Sequence, residues 1–205
     1  LTNFDIVAAA GGANKAVAKQ LTVTSSASGT ITLQFTGVVD NAQVNGIEIG
    51  GSTTHGTGGA QINAGGAAVA PFVADTDFTG GATTTSGNTI STTGVTNPAP
   101  TSVYQSNRYG NFTYPVPNLT PGATYTVRLH FAETYWTVAG QRVFNVSANG
   151  QAALTNFDIV AAAGGANKAV VEQFTATASA SGTITLQFTT VVDNAQVNGI
   201  EVLPA

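Results

Sequence analysis

The 205-residue chain has no cysteine and no methionine. Disulfides and Cys-based metal sites are therefore excluded. The two missing residues are also the readily oxidised ones, which favours an exposed, long-lived protein. Charge is scarce: Asp, Glu, Lys and Arg make up 8% of the residues, against about 25% in ordinary soluble domains. Six Lys+Arg against ten Asp+Glu leave a net charge of −4, so no basic patch is available for nucleic acid. No apolar run approaches a membrane span or a signal peptide, and no membrane insertion is expected. There are two histidines, and one of them, His55, lies in a Gly/Thr-rich stretch, so a zinc cluster is not credible. Thr, Ser, Asn, Gln and Gly must cover the surface. That composition suits an extracellular or bacterial cell-surface protein better than a cytoplasmic one.

What the chain does have is a repeat. Residues 1–49 recur at 154–202, 153 positions further on, with 42 of the 49 residues identical. The differences are Ala18/Val171, Lys19/Glu172, Leu21/Phe174, Val23/Ala176, Ser25/Ala178, Gly37/Thr190 and Ile49/Val202. Solenoid repeats run about 20–50 residues, so a period of this length is domain-sized. The expectation is a tandem repeat of globular domains. Residues 1–49 read as the C-terminal third of a preceding repeat, 50–60 (GGSTTHGTGGA) as a flexible linker, and 61–205 as a complete domain.

Nearly all the periodicity is two. In Tyr125–Phe131 every second residue is large and apolar, and the others are Thr126, Arg128 and His130. That predicts a strand with one buried and one wet face. Thr183–Phe188 and its copy at 30–35 read the same way. Shorter strands are expected at 112–114, 143–146, 156–160, 170–176 and 197–202, with a further one at 44–49. Turn pairs separate them: Pro121-Gly122, Asn149-Gly150, Ser181-Gly182 and Asp193-Asn194. Residues 161–168 could hold a helical turn, which Gly164-Gly165 keeps short. Residues 79–102, rich in Thr, Ser, Gly and Asn, read as a loop-like excursion. The predicted fold is all-β, an antiparallel sandwich.

Several segments resemble the malectin family of carbohydrate-binding domains. They are Gln61–Gly66, Asp75–Gly81, Val103–Tyr109, Tyr125–Glu133 with Thr134-Tyr135-Trp136, Gln141–Val146, Leu154–Ile159 and Val192–Glu201. Their order and spacing run through the whole of 61–203. The resemblance implies a jelly-roll-like, galactose-binding-like β-sandwich whose end loops hold glucose-containing oligosaccharides. It implies four carbohydrate-binding residues: Tyr109, Tyr135, Trp136 and Asp193. A further tyrosine of the family pattern has no counterpart in 79–102.

The residues themselves carry part of the same argument. A sugar offers a flat C–H patch and a rim of hydroxyls, so its site needs aromatic plates and a few fixed polar groups. Neighbours on a strand face opposite ways, so at least one of Tyr135 and Trp136 is expected at the surface, though Trp136 could instead plug the core while Tyr135 covers the sheet edge. Asp193 could accept hydroxyl hydrogens or simply shape its turn. Its twin Asp40 has no counterparts of Tyr135 and Trp136 before it in this chain, so it is not expected to bind sugar unless another chain supplies them. His130 reads as an outward-facing cross-strand residue. Glu133, in register with Leu129 and Phe131, reads as a satisfied, partly buried carboxylate that fixes the following loop. Asp75-x-Asp77 is a weak calcium pattern, and no other cofactor is expected. Glu133 and Asp193 are the one carboxylate pair near the site, and nothing selects them as the acid and nucleophile of a glycosidase. No catalytic activity is expected. The alternative to a sugar-binding module is a structural repeat of a surface fibre or stalk. In that reading 1–49 replaces 154–202 in another molecule, a head-to-tail self-association.

Overall fold

The alternation between Tyr125 and Phe131 becomes a strand whose Tyr125, Val127, Leu129 and Phe131 side chains are all buried. The structure, a computed structural model, describes residues 1–19, 21, 23, 30–47 and 58–205. They fall into two units, Leu1–Ile49 and Gly50–Ala205. In the larger unit the strands are β1 (Ala60–Asn63), β2 (Thr79–Thr85), β3 (Ser106–Val116), β4 (Thr124–Ala132) and β5 (Val143–Ala148). They continue with β6 (Gln151–Phe157), β7 (Ala169–Thr177), β8 (Ile184–Val192), β9 (Gln196–Val197) and β10 (Gly199–Pro204).

These strands form two antiparallel sheets. One has the order β1-β10-β4-β7; the other runs β2-β3-β8-β5-β6, with β9 pairing to β3. Side chains from both sheets share a single core that includes Ile62, Tyr114, Val127, Leu129, Phe131, Phe144, Leu186, Phe188 and Ile200. Phe112 stacks on Phe188 with ring centroids 4.5 Å apart. This is the all-β sandwich that the alternation predicts.

Three expectations for this larger unit need correction. First, residues 79–102 are not simply a loop. Thr79–Thr85 forms an edge strand on β3, exposed at every position and bulged between Gly80 and Ala82, and the chain then passes through a 3-10 turn at Thr101–Gln105. Second, the strand expected at 156–160 stops at Phe157. A short helix, Ile159–Ala163, follows, capped by the Asp158 carboxylate on the Ala161 N–H and ended by Gly164 in the left-handed region. Third, the outer face of β4 is not wet. Phe72, Ile90, Ala99, Val103 and Tyr104 make a second apolar cluster with Ala132 and Ala169. His130, expected to face outward, lies beneath it at 0% exposure.

His130 is fully paired there. The Tyr104 hydroxyl, 2.9 Å from Nδ1, accepts from the Ala99 N–H and so donates to the ring. Nε2 lies 3.0 Å from the Glu201 carboxylate and donates to it. Glu201 also takes Gln61 Nε2 at 2.7 Å and the Arg128 guanidinium. Burial opposes the charge on Glu201, but the bonds from His130 and Gln61 and the charge of Arg128 outweigh it. The carboxyl therefore sits below its ordinary range. Burial pushes Tyr104 up to about 12, and burial with the bond to Asp75 pushes Tyr114 up as well. Above the ordinary tyrosine value of 10.0 the unfolded chain loses these protons while the folded chain keeps them. Stability is therefore expected to hold up to that pH and to fall as pH rises further, as melts followed by circular dichroism across the alkaline range will read.

The smaller unit repeats the local structure of its twin but not its strands. Ile6–Ala10 is helical, capped by Asp5 on the Ala8 N–H and ended by Gly11 in the left-handed region. Residues 30–35, expected as a strand, form none. Nor do 44–47, and the rest of that expected strand lies outside the described residues. Leu33, Phe35, Val44 and Ile47 are exposed, whereas their twins Leu186, Phe188, Val197 and Ile200 are buried.

Candidate functional site

β4 ends at Ala132, and the loop that follows carries the aromatic pair before the chain enters the other sheet at Val143. Glu133 starts this loop. It stays in the buried register of Leu129 and Phe131 and is 1% exposed. One carboxylate oxygen accepts the Tyr135 and Trp136 backbone N–H groups at 2.9 and 3.1 Å. The other takes Arg142 Nε at 2.5 Å. This is the loop-fixing role the sequence suggests. The far end of the loop is held by Gln141 on the Val138 N–H and by Asp158 on the Gly140 N–H.

With its backbone fixed, the loop displays two rings. Tyr135 is 74% exposed and Trp136 is half-buried. The rings meet edge to face with centroids 4.7 Å apart. The indole Nε1 donates to Asp193 Oδ2 at 2.7 Å. The same oxygen lies 3.3 Å from Arg142 Nη1. Asp193 sits in the turn after β8 at φ 53, and Asn194 Nδ2 donates to its other oxygen at 2.9 Å. A continuous chain of charge and hydrogen bonds therefore runs from Glu133 through Arg142 to Asp193 and on to Trp136. Asp193 serves the turn and the cluster at once.

The structure thus brings Tyr135, Trp136 and Asp193 together. Tyr109 is half-buried on β3 opposite Gln196, three residues beyond Asp193 on the facing segment, and takes no part in that chain of bonds.

Two residues escape sequence reasoning. Arg142 is buried, in register with the buried Phe144 and Val146. A cation in a core register demands a carboxylate partner, and Glu133, just past the end of β4, is the matching anomaly; pairing the two was the available signal. Asn88 has no such signal. Its Nδ2 donates to the Thr134 carbonyl at 3.1 Å and to Asn167 Oδ1 at 2.9 Å, which ties the excursion to the aromatic loop where the further tyrosine was expected.

Asp75 lies elsewhere and is engaged. It takes Arg108 Nη2 at 2.6 Å and the Tyr114 hydroxyl at 2.6 Å, and the Arg108 guanidinium lies over the Phe78 ring. Among the described residues no three His, Cys, Asp or Glu side chains converge on a metal site.

Solved structures share this architecture. The Arabidopsis thaliana ANX2 ectodomain superposes with a TM-score of 0.65 at 22% identity, over 71% of this chain and 49% of that one. A chain from the complex of plant peptide RALF23 with FER and LLG2 gives 0.64 at 23%, over 71% and 48%. Bacteroides uniformis β-glucuronidase 2, a calcium-binding mutant, gives 0.57 at 16%, over 72% and 18%. In sequence, a probable receptor-like protein kinase of Arabidopsis thaliana is 44% identical over 54 residues, 26% of this chain and 6% of the kinase. A kinesin-like protein, KIN-14E of Oryza sativa subsp. japonica, is 35% identical over 107 residues, 48% of this chain and 10% of the kinesin. The chain thus matches only a small part of each of these curated relatives. The malectin-domain profile matches residues 59–200, and with that span of agreement the chain belongs to the malectin-domain family.

Proposed function

We propose that Gly50–Ala205 is a non-catalytic carbohydrate-binding module for glucose-type oligosaccharides or polysaccharides, displayed outside the cell or on a bacterial surface. The observation that carries this reading is the exposed Tyr135 ring beside Trp136, with the indole oriented by Asp193. Two edge-to-face rings give a ledge for the C–H face of a pyranose. The lone pairs of Asp193 not used by Trp136, Arg142 and Asn194 are acceptors for hydroxyls. Tyr109 completes the proposed site from β3. Family membership supports the reading, as do the jelly-roll-like, galactose-binding-like arrangement and the tandem display that the sequence suggests. Both oxygens of Glu133 are committed to the loop and to Arg142, so no free acid faces Asp193, which favours a binding role over catalysis. Asp75 is committed to Arg108 and Tyr114, so no structural calcium is assigned to it and Asp77.

Trp136 is the single tryptophan, so its emission reports on the site alone. Titration with maltose, nigerose and cellobiose is expected to give a saturable change for at least one of them, lost in Tyr135→Ala. Flat titrations with all three, in a folded protein, would remove the glucose assignment.

A second reading has its own support. Leu33, Phe35, Val44 and Ile47 are exposed where their twins form core. A structural repeat that self-associates head to tail by exchanging this segment would cover them.

A further inference from the structure

Within Gly50–Ala205 the segment 154–202 is not peripheral. It supplies β7, β8, β9 and β10 and the end of β6, including the central strands of both sheets: β10 between β1 and β4, and β8 between β3 and β5. The rest of the domain, 60–153, cannot close without it. The chain holds a second version of this segment, 1–49, with 42 of 49 residues the same.

The twins agree in geometry wherever geometry is local. Asp5 and Asp158 cap the same helical turn, and Gly11 and Gly164 end it at φ 71 and 69. Asn3 and Asn156 both sit at φ 50, and Asp40 and Asp193 at 59 and 53. Lys15 bonds the Gly11 carbonyl as Lys168 bonds that of Gly164. They differ in burial, because only one of them has partner strands.

The ends decide whether 1–49 can reach the same place. In the domain Val202 is the ladder partner of Ala60, and Gly59 lies so close that a Cβ there would meet the Val202 carbonyl at 2.2 Å. The end of the C-terminal segment is therefore next to the start of β1. If Ile49 stood where Val202 stands, residues 50–59 would only have to turn back into β1. A hairpin connection needs as few as two residues, and a ten-residue Gly/Ser/Thr connection closes with little added entropy cost. Two of the seven differences fall on buried alanines, Val23 for Ala176 and Ser25 for Ala178, and cost the exchanged segment some packing without changing its apolar alternation. Leu21 is smaller than the half-buried Phe174, and Ile49 adds one methylene to Val202.

We infer that residues 1–49 are an alternative closing segment for the body formed by 60–153 of the same chain, entering through the 50–59 connection and displacing 154–202. The domain then exists in two circularly permuted forms. In the permuted form Asp40 takes the position of Asp193 beside Trp136.

The test uses the full-length chain, which has no native thiol. Ser147 on β5 pairs with Gln187 on β8, whose twin is Gln34. Gln34→Cys with Ser147→Cys is expected to form an intramolecular disulfide under mild oxidation, read as a monomeric band on a non-reducing gel and by thiol titration. Gln187→Cys with Ser147→Cys is the positive control. Thr36→Cys with Ser147→Cys is the register control, because the twin of Thr36, Thr189, pairs with Asn145 instead. The bridge from position 34 is expected to form at least about tenfold faster than that from 36, since diagonal neighbours stand roughly 7–8 Å apart. It is expected to form faster still when Leu186→Asp weakens the resident segment. Three results would each overturn the inference: no bridge from position 34 while the positive control bridges, equal rates from 34 and 36, or bridged dimers without bridged monomer.

Discussion

Glu133→Ala lowers the melting temperature of the domain by on the order of 10 °C and unmoors the aromatic loop. The substitution strips the buried Arg142 of its closest carboxylate, which stands at 2.5 Å, and frees the Tyr135 and Trp136 N–H groups. Removing one member of a buried ion pair costs about 3–5 kcal/mol, because the partner's charge stays behind. A domain of this size loses about 2–4 °C per kcal/mol. Glu133→Gln keeps an acceptor for the two N–H groups but not the charge, so it should fall between wild type and alanine. Thermal melts by circular dichroism measure all three. A melting temperature unchanged in Glu133→Ala would show that the Glu133–Arg142 pair does not hold the loop.

Trp136→Ala abolishes measurable sugar binding, with a loss of at least about 30-fold, while costing much less stability than Glu133→Ala. The ring is half-buried at the surface, so its removal opens no deep cavity. It does take away half of the aromatic ledge and the bond that orients Asp193. Aromatic anchors at the centre of a binding surface are worth about 2 kcal/mol or more, and about 1.4 kcal/mol is tenfold in affinity. Asp193→Asn keeps an acceptor for the indole but loses the charge facing Arg142, so its effect should be smaller. Calorimetric titration with the best of the three disaccharides separates the variants. Full affinity in Trp136→Ala would move the site away from this loop.

Much of this molecule can be read from its residues, and one comparison shows where that stops. Thr30–Phe35 and Thr183–Phe188 have the same sequence. The second is in β8 with Ile184, Leu186 and Phe188 buried; the first forms no strand. Alternation announces a strand that suits a half-buried sheet, but only a partner makes it one. The helical turns after Asp5 and Asp158 form in both copies, because cap and glycine act within a few residues. The burial of His130 was illegible for the opposite reason. Its cover comes from Phe72, Ile90 and Tyr104, apolar residues scattered through polar sequence up to 58 positions away. The edge strand β2 was missed because Thr and Gly at its positions mark a loop as readily as an exposed strand.

That edge strand bears on how the protein behaves in crowded or salty surroundings. Many proteins keep open strand edges from zipping together by lining them with lysine, a defence that dissolved ions weaken. Here there are six Lys+Arg in all, and Thr79–Thr85 carries none of them. Its protection is a kink where Gly80 and Ala82 break the register and a fringe of exposed threonine hydroxyls. Because neither depends on ionic strength, molecules should resist sticking edge to edge as well in brine as in fresh water.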